Sequence, residues 1–253
     1  MKRTIVISDI HGCSVELKEL LEKLKLTEND AVYSVGDILD KSSAERQIET
    51  LDLCLKYNII NIEGNHDNKQ NRWRKHEKNK ELTGKNNPMT SVSETNLEVY
   101  RMMTPEHIEY LDKAPATIML NEQNTMLVHG GLLPLASVPL EKQLKKRRSE
   151  IMRLRWLDND TLKFVPLIGS LDQPPHTTLW SQLWDGPFNV VYGHIAHSLT
   201  DPRIDVREDG IKTVGIDTGC VIGGRLTAYV LETEEVIQVQ SKELYCSENP
   251  EEM

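Results

Sequence analysis

The sequence predicts an α/β protein, and two observations lead to that fold class. Short apolar or β-branched runs alternate with amphipathic segments, beginning with a strand expected at 4–8 and a helix expected at 15–26. A polar cluster follows each of the first three strands at its carboxyl end, which is the edge where open α/β sheets bind ligands.

The next elements continue this alternation. Strands are expected at 30–35 and 58–62, with the amphipathic helix Ala44–Lys56 between them. The stretch at 68–97 is rich in Lys, Arg and Asn and has little apolar periodicity. We expect it to be an excursion over the surface near the polar clusters, either a lid or a ligand-facing element.

A short helix is expected at 104–111, because Thr104 can cap its start and Pro105 suits its first position. Thr117–Leu120 and Thr125–Val128 follow it as two apolar runs separated by a short polar turn. They are expected to pair as a hairpin.

The C-terminal half is less regular. A basic helix is expected at 141–155, and the tail at 241–253 is acidic and expected to fray. Core strands are expected at Asn189–Tyr192, 213–216 and 226–231. The sequence has no evident repeat or interdomain linker, so residues 1–240 are expected to form one domain.

The composition is that of an ordinary globular protein, with 38% hydrophobic and 27% charged residues. The formal net charge of -9 argues against a surface built throughout to hold nucleic acid. An acidic protein that binds an anion must therefore supply positive charge locally, through metal ions or clustered Lys and Arg.

The sequence favours a cytoplasmic location. The apolar run at the N-terminus is too short for a signal peptide, and no stretch approaches the length needed to cross a bilayer. The cysteines form neither a C-x-x-C pair nor a zinc-finger spacing, so we expect free thiols in a reducing compartment at Cys13, Cys54, Cys220 and Cys246.

Residues of the types that bind metal ions recur at the strand ends. Asp9 and His11 come first, Asp37 follows 28 residues after Asp9, and the cluster beginning at Asn65 follows after 28 more. Each interval fits one β–α unit. His129 and His194 also follow expected strands and lie beside glycines. One such residue alone is usually a helix cap or a turn residue, but five strand ends together favour a site for two divalent ions.

At these residues the chain resembles the calcineurin-like metallophosphoesterases. The matching motifs are Asp9-x-His11, Gly36-Asp37-Ile38-Leu39-Asp40, Gly64-Asn65-His66-Asp67, His129-Gly130-Gly131 and Gly193-His194. The resemblance implies a central mixed β-sandwich flanked by helices, and two divalent ions, Mn²⁺ first with Fe or Zn²⁺ as alternatives. It also implies that a hydroxide held between the ions attacks phosphorus directly.

The same resemblance assigns the ligands. Asp9, His11 and Asp37 would hold one ion, and the other would be held by Asp37, Asn65, His129 and His194, so that Asp37 bridges. His66 would give a proton to the leaving oxygen, oriented by Asp40. The alternatives are that His66 only supports the ligands and that Asp40 caps the helix beginning near Ser42.

The motif around Lys41 bears on the substrate. Protein Ser/Thr phosphatases carry an Arg and a Gly where this chain has Lys41 and Ser42, so a bidentate grip on phosphate is replaced by a point charge. Lys41, Asn65 and Arg153 are the predicted phosphate-binding residues. By resemblance to the diadenosine tetraphosphatases, Arg153 lies where that group carries such an Arg, although an exposed helix face explains it nearly as well.

The ending resembles the symmetrical diadenosine tetraphosphatase (ApaH) and ApaH-like branch. Its markers are Leu179-Trp180-Ser181, Trp184-Asp185-Gly186-Pro187 and the run from Asp217 to Ala228. Small bacterial and phage protein phosphatases share parts of this ending, so the two substrate classes stay open.

Basic runs at 69–85 and 145–148 are most simply solvated surface, with a rim that attracts phosphorylated substrate as the alternative. Trp73 in the first run is a weak candidate for stacking on a base. His197 departs from the usual spacing of a metal ligand and is left out of the predicted site.

We therefore predict a metal-dependent phosphatase that hydrolyses phosphomonoesters, because the Asp40–His66 pair is intact. The alternative is hydrolysis of phosphoanhydrides in diadenosine tetraphosphate, nucleotides or polyphosphate. A silent scaffold and a nuclease are less favoured, since the predicted ligands are present and the net charge is negative. The expected partner is a phosphorylated substrate, phosphoprotein or nucleotide, with no membrane and no dedicated nucleic-acid binding.

Overall fold

A computed structural model describes residues 2–89, 92–166 and 173–246. Its strands, in chain order, are β1 (Thr4–Ile7), β2 (Ala31–Ser34), β3 (Ile60–Asn61), β4 (Thr117–Leu120), β5 (Thr125–Val128), β6 (Trp156–Asp158), β7 (Phe164–Val165), β8 (Thr177–Leu179), β9 (Asn189–Tyr192), β10 (Arg203–Val206), β11 (Lys212–Gly215), β12 (Arg225–Val230) and β13 (Glu235–Gln240). The helices are α1 (Ser14–Leu24), α2 (Ala44–Lys56), α3 (Asn65–Thr83), α4 (Glu94–Met102), α5 (Pro105–Lys113), α6 (Leu140–Lys146) and α7 (Arg148–Ile151), with 3₁₀ turns at Trp180–Leu183 and Cys220–Ile222.

Two five-stranded mixed sheets form the centre of the fold. The first has the order β13-β12-β1-β2-β3, and the second has the order β10-β11-β9-β5-β4. Strands β1, β2 and β3 are parallel to one another, and so are β5, β9 and β11. A small sheet, β7-β6-β8, lies apart from these two. The predicted mixed sandwich flanked by helices is confirmed.

Alternation along each strand separates the layers. On β1, Ile5 and Ile7 pack in a cluster with the buried faces of α1 and α2, whereas Val6 packs in a second cluster shared by both large sheets. On β9, Val191 faces that shared layer, and Tyr192 joins the cluster on the outer side of the second sheet. Because side chains alternate with a period of two, each sheet buries both faces, and the sandwich is held between layers of helix and loop.

Most of the predicted elements are confirmed to within two or three residues. Ala44–Lys56, Thr117–Leu120, Thr125–Val128 and Asn189–Tyr192 have the bounds expected. The hairpin is antiparallel, and the Oγ1 of Thr104 accepts a hydrogen bond from His107 N at the start of α5.

The stretch at 68–97 is largely helical, although its sequence shows little apolar periodicity. Its first half lies in α3, a helix of 19 residues, and α4 begins at Glu94. The helix has no apolar stripe because polar groups fill much of its buried face: Gln70 donates to Asn96 O, and Arg74 donates to Asp112. Hydrophobic periodicity could not reveal a helix that packs through hydrogen bonds.

The basic helix expected at 141–155 is also wrong in its extent. Arg147 departs from helical geometry, with φ of -126°, so α6 ends before it and the short α7 ends at Ile151. The chain then turns towards the centre of the molecule, since Ile151 O accepts hydrogen bonds from Gly130 N and Gly131 N. This change of direction decides where the following arginines lie.

The first part of the expected tail is ordered against α1. Lys242 N and Tyr245 Oη both donate to Glu16, and residues 247–253 lie outside the described residues. Across the described ranges, no helix combines the length and apolarity that a membrane span requires.

Candidate metal centre

The parallel strands of the two large sheets end at a common edge, and the predicted ligands lie there. Asp9, Asp37 and Asn65 follow β1, β2 and β3, whereas His129 and His194 follow β5 and β9. Two close polar contacts join the sheets at this edge: Asp9 Oδ2 accepts a hydrogen bond from His194 N at 2.9 Å, and Asn65 Oδ1 lies 3.0 Å from His129 Nε2.

Asp37 lies at the centre of the group. Its Oδ2 is 3.3 Å from His129 Nε2, 3.6 Å from His11 Nε2 and 4.0 Å from His66 Nε2. Its Oδ1 accepts a hydrogen bond from His66 N, which fixes the carboxylate. Two ligand groups, His11–Asp37–His66 and Asp37–His129–His194, each have their ligand atoms within 4.8 Å and share Asp37. That sharing is what a bridging carboxylate between two ions requires.

Backbone carbonyls orient two of the imidazoles. His11 Nδ1 lies 3.0 Å from Leu39 O, and His129 Nδ1 lies 2.8 Å from Val35 O. A carbonyl oxygen can only accept a hydrogen bond, so Nδ1 carries the proton in both rings. The Nε2 lone pairs are then directed at Asp37, as in most metal-binding histidines.

The chemistry of the donor set fits divalent ions. Asp9 Oδ1 is buried and has no hydrogen-bond partner among the described residues, although Oδ2 is engaged. A buried carboxylate oxygen without a partner is costly unless a cation binds it. The set as a whole offers carboxylate, imidazole and amide oxygen, which suit Mn²⁺, Fe and Zn²⁺.

The charge of the site is consistent with this assignment. Burial, followed by repulsion from Lys41, lowers the pKa of His11 to about 3. Burial and then Arg155 lower the pKa of His194 well below its usual value. Burial alone would raise the pKa of Asp37, but the imidazoles of His129 and His66 hold it well below its ordinary value. His11 and His194 are therefore neutral, as metal ligands must be. Burial lowers the pKa of His129, but Asp37 and Asp9 raise it to about 9, so a metal ion bound there would displace a proton from this ring.

His66 and Asp40 are paired beside the ligands. His66 Nδ1 lies 2.7 Å from Asp40 Oδ2, and Asn96 Nδ2 donates to the other Asp40 oxygen. Burial opposes the ionisation of Asp40, but its hydrogen bond with His66 keeps its pKa low. Asp40 does not cap α2, because Ser43 is the N-cap and its Oγ accepts from Arg46 N. The structure thus brings together the predicted proton donor and its orienting carboxylate.

The backbone around the site is strained. Five predicted site residues have positive φ, the left-handed region that L-residues rarely adopt: His11, Asp37, Asp40, Lys41 and His194. Such conformations cost about 1–3 kcal/mol each and persist where the surrounding contacts enforce them. Glycines make the close approaches possible: a Cβ on Gly64 would lie 2.0 Å from Asp37 Oδ1, and one on Gly193 would lie 1.9 Å from Asp9 Oδ1.

A cavity of about 140 Å³ opens over these ligands. Its wall includes Lys41, as expected, together with Arg155 and Asp217, which the sequence patterns did not single out as site residues. Asp217 follows β11, so it is a sixth strand end, and the glycines after it were the available signal. Arg155 offered no signal, because an Arg in a basic run is indistinguishable from exposed surface until the chain turns inward after α7.

Other predicted residues lie away from the cavity. Arg153 donates to Ser149 Oγ and does not line the described cavity wall, so its role in binding phosphate stays a prediction. Trp73 is buried against Tyr100, with ring centroids 5.3 Å apart, and cannot stack on a ligand there. His197 lies 3.1 Å from Tyr192 Oη, which agrees with leaving it out of the ligand set.

Comparison with known proteins gives the same family as the geometry. The sequence model described as calcineurin-like phosphoesterase matches residues 2–220. Curated relatives named bis(5'-nucleosyl)-tetraphosphatase PrpE [asymmetrical] include proteins of Oceanobacillus iheyensis, 26% identical over 96% of this chain and 94% of the relative, and of a Geobacillus species, 29% identical over 96% of both. A Bacillus subtilis relative of the same name is 25% identical over 93% of both chains.

Solved structures share the fold. A crystal structure provisionally assigned as a diadenosine tetraphosphatase has a TM-score of 0.71 at 24% identity, covering 94% of this chain and 93% of that one. A serine/threonine phosphatase from Saccharomyces cerevisiae has a TM-score of 0.53 at 14% identity, covering 95% and 80%. At these identities the likeness concerns the fold alone.

Proposed function

The chain belongs to the calcineurin-like phosphoesterases and is a phosphoester or phosphoanhydride hydrolase, and from this premise we propose that it cleaves dinucleoside polyphosphates. Relatives that match 93–96% of the chain are named for hydrolysis of bis(5'-nucleosyl) tetraphosphates. These relatives favour the phosphoanhydride alternative over the phosphomonoesterase reading that the Asp40–His66 motif suggested.

One observation in the structure carries this proposal. Lys41 and Arg155 both line the cavity over Asp37, and neither has a carboxylate within salt-bridge distance in residues 2–89, 92–166 and 173–246. Arg155 Nε is buried without a hydrogen-bond partner in those ranges. Two unpaired cations beside a metal site supply more positive charge than a single phosphomonoester requires, and they suit a chain of phosphates.

The residues divide the chemistry between them. Asp9, His11, Asp37, Asn65, His129 and His194 would hold two divalent ions, which when bound supply an activated water and neutralise the phosphate oxygens. Lys41 and Arg155 bind the oxygens that the ions do not reach. Protonated His66 donates a proton from Nε2 to the leaving oxygen and becomes neutral. Asp40, which accepts from Nδ1, stabilises the positive charge that the ring carries before this transfer. We propose Mn²⁺ as the metal and the cytoplasm as the location.

Phosphomonoester hydrolysis is the second candidate, because the 2.7 Å contact between His66 and Asp40 supports protonation of a poor leaving group such as an alkoxide. A nucleotide or polyphosphate leaves more readily and depends less on that proton. The two reactions therefore make different demands on the same pair of side chains.

The test is a substrate panel with Mn²⁺: diadenosine tetraphosphate, inorganic polyphosphate, a phosphoserine peptide and p-nitrophenyl phosphate. We expect kcat/KM to be highest for diadenosine tetraphosphate, and chromatography of the products to show AMP and ATP, the asymmetrical outcome in the relatives' name. Two equivalents of ADP would mean symmetrical cleavage. A higher kcat/KM for the phosphopeptide would overturn the proposal in favour of the second candidate.

A further inference from the structure

The cavity over the metal centre is lined by two chemically different kinds of residue. The metal-ligand residues, Lys41 and Arg155 are polar or charged. The apolar lining residues are Trp156, Ile195, Ala196, Val221 and Ile222. A cavity that only had to admit a phosphate group would gain nothing from this apolar lining, so we expect an apolar part of the substrate to contact it.

Trp156 differs from the other three tryptophans of the chain. Trp73, Trp180 and Trp184 are buried, and each packs against another aromatic ring. Trp156 is only half-buried, lines the cavity, and has no aromatic partner among the described residues. A large aromatic side chain left partly exposed inside a cavity, beside the charged groups of a catalytic site, has a free face to offer a ligand.

The position of Trp156 is fixed by its strand. It begins β6, where it pairs with Val165 on β7 and Leu179 on β8, so its backbone is held on both sides. The next residue towards the N-terminus is Arg155, whose carbonyl accepts a hydrogen bond from Trp180 N. The cation and the ring are therefore adjacent in the chain, are fixed by the same small sheet, and both line the cavity.

We propose that Trp156 and the apolar lining residues Ile195 and Ile222 bind a nucleobase of the substrate, with the base stacked on the Trp156 ring. The inference rests on the proposed function and extends it to a base-binding subsite. Arg155 and Trp156 are neighbours in the chain and both line the cavity with the ligand side chains, so one substrate could place a phosphate at Arg155 and its nucleoside at Trp156. A base that stacks on the ring tolerates any purine, since every base has a π face.

The test compares a ligand that has bases with one that has none. Diadenosine tetraphosphate and inorganic tripolyphosphate are assayed with wild-type protein, Trp156→Ala and Trp156→Phe. Loss of one stacking contact is expected to raise KM for diadenosine tetraphosphate about tenfold in Trp156→Ala. KM for tripolyphosphate is expected to stay within about twofold of wild type, because its phosphates never reach the ring. Trp156→Phe, which keeps an aromatic face, is expected to recover most of the loss.

A matched control tests whether the change in KM comes only from destabilising the small sheet β7-β6-β8. Phe164 is half-buried on β7 next to β6 but does not line the cavity, so Phe164→Ala should leave the ratio of the two KM values unchanged. Binding is also measured by calorimetry in a His66→Asn background, where slow turnover allows dissociation constants for both ligands to be determined.

The outcomes separate the inference from the function on which it rests. Failure of the wild-type protein to bind or cleave diadenosine tetraphosphate would overturn the proposed function. Cleavage by wild type, with Trp156→Ala weakening both ligands equally or neither, would overturn the base-binding subsite alone. A selective loss for the ligand that carries bases, recovered by Phe, would support it.

Discussion

At the scale of single residues, Asp37 organises the site. Its Oδ2 lies within 4 Å of three imidazoles, and its Oδ1 fixes the backbone of His66. The family resemblance assigns Asp37 to both ligand sets, and Asp37 is the residue common to the clusters His11–Asp37–His66 and Asp37–His129–His194. The sequence gave no sign of Arg155 or of Asn96, which donates to Asp40, because neither follows a strand nor belongs to a recognisable motif. Such residues reach a site only through tertiary packing.

His66 has two candidate roles that an experiment can separate. Its ring lies in a cluster with His11 and Asp37, as a metal ligand would, and is also paired with Asp40, as a proton donor would be. We expect His66→Asn to keep both metal ions and to lower kcat about 10²–10⁴-fold with alkyl phosphate leaving groups, the usual size of general-acid catalysis. The loss should be smaller with p-nitrophenyl phosphate, whose leaving group needs no proton.

Metal content by mass spectrometry and kcat on both leaving groups check this assignment. Asp40→Asn is the control. It keeps the His66 imidazole but removes the carboxylate paired with it, so we expect the same dependence of kcat on the leaving group as in His66→Asn. An equal loss on both substrates, accompanied by loss of one metal ion, would identify His66 as a ligand instead.

At the scale of elements, the strands and amphipathic helices were predictable, and α3 was not. The strands carry β-branched apolar runs, and α2 has an apolar stripe, so local pattern and tertiary burial agree there. In α3 the buried face contains Gln70, Asn71 and Arg74, and each of these side chains donates a hydrogen bond to a residue on α4 or α5. Burial of that kind leaves no trace in the hydrophobic pattern.

The junction between α1 and the first sheet gives a prediction at this scale. Arg3 Nε donates to Asp30 Oδ1 at 3.0 Å, its Nη2 donates to Leu24 O at the end of α1, and Thr27 N donates to Asp30 Oδ2. The hydrogen bond from Arg3 is the main reason that the pKa of Asp30 lies well below its usual range. The pair thus ties a helix end to the start of two strands.

Asp30→Asn is expected to lower the free energy of unfolding by about 1–2 kcal/mol at pH 7, the range for a hydrogen-bonded charged pair at a partly buried site. Because the folded-state pKa is depressed, the stabilisation is present above the unfolded-state pKa of about 4 and is lost as the pH falls below it. Urea unfolding of both proteins in EDTA, between pH 7 and 3, measures the difference. A difference in unfolding free energy between the two proteins that stays constant or increases as the pH falls would contradict the electrostatic account.

At the scale of the whole molecule, the site exists because two sheets end at one edge. Neither sheet holds a complete set of ligands: Asp9, Asp37 and Asn65 follow strands of the first, and His129 and His194 follow strands of the second. The positions of these ligands in the sequence could be predicted, because parallel strands of one sheet place the residues that follow them at the same edge. Closure of the sandwich, which brings the two sets within 4 Å, depends on the shared core around Val6 and Val191.

We propose that Asp37 bridges two metal ions held between the sheets. The most direct measurement is the number of Mn²⁺ ions bound per chain, determined by calorimetry and mass spectrometry for wild type and Asp37→Asn after treatment with EDTA. We expect two ions per chain in the wild type, and at most one, with loss of hydrolysis, in the variant. One ion in the wild type, or two in Asp37→Asn, would contradict the claim.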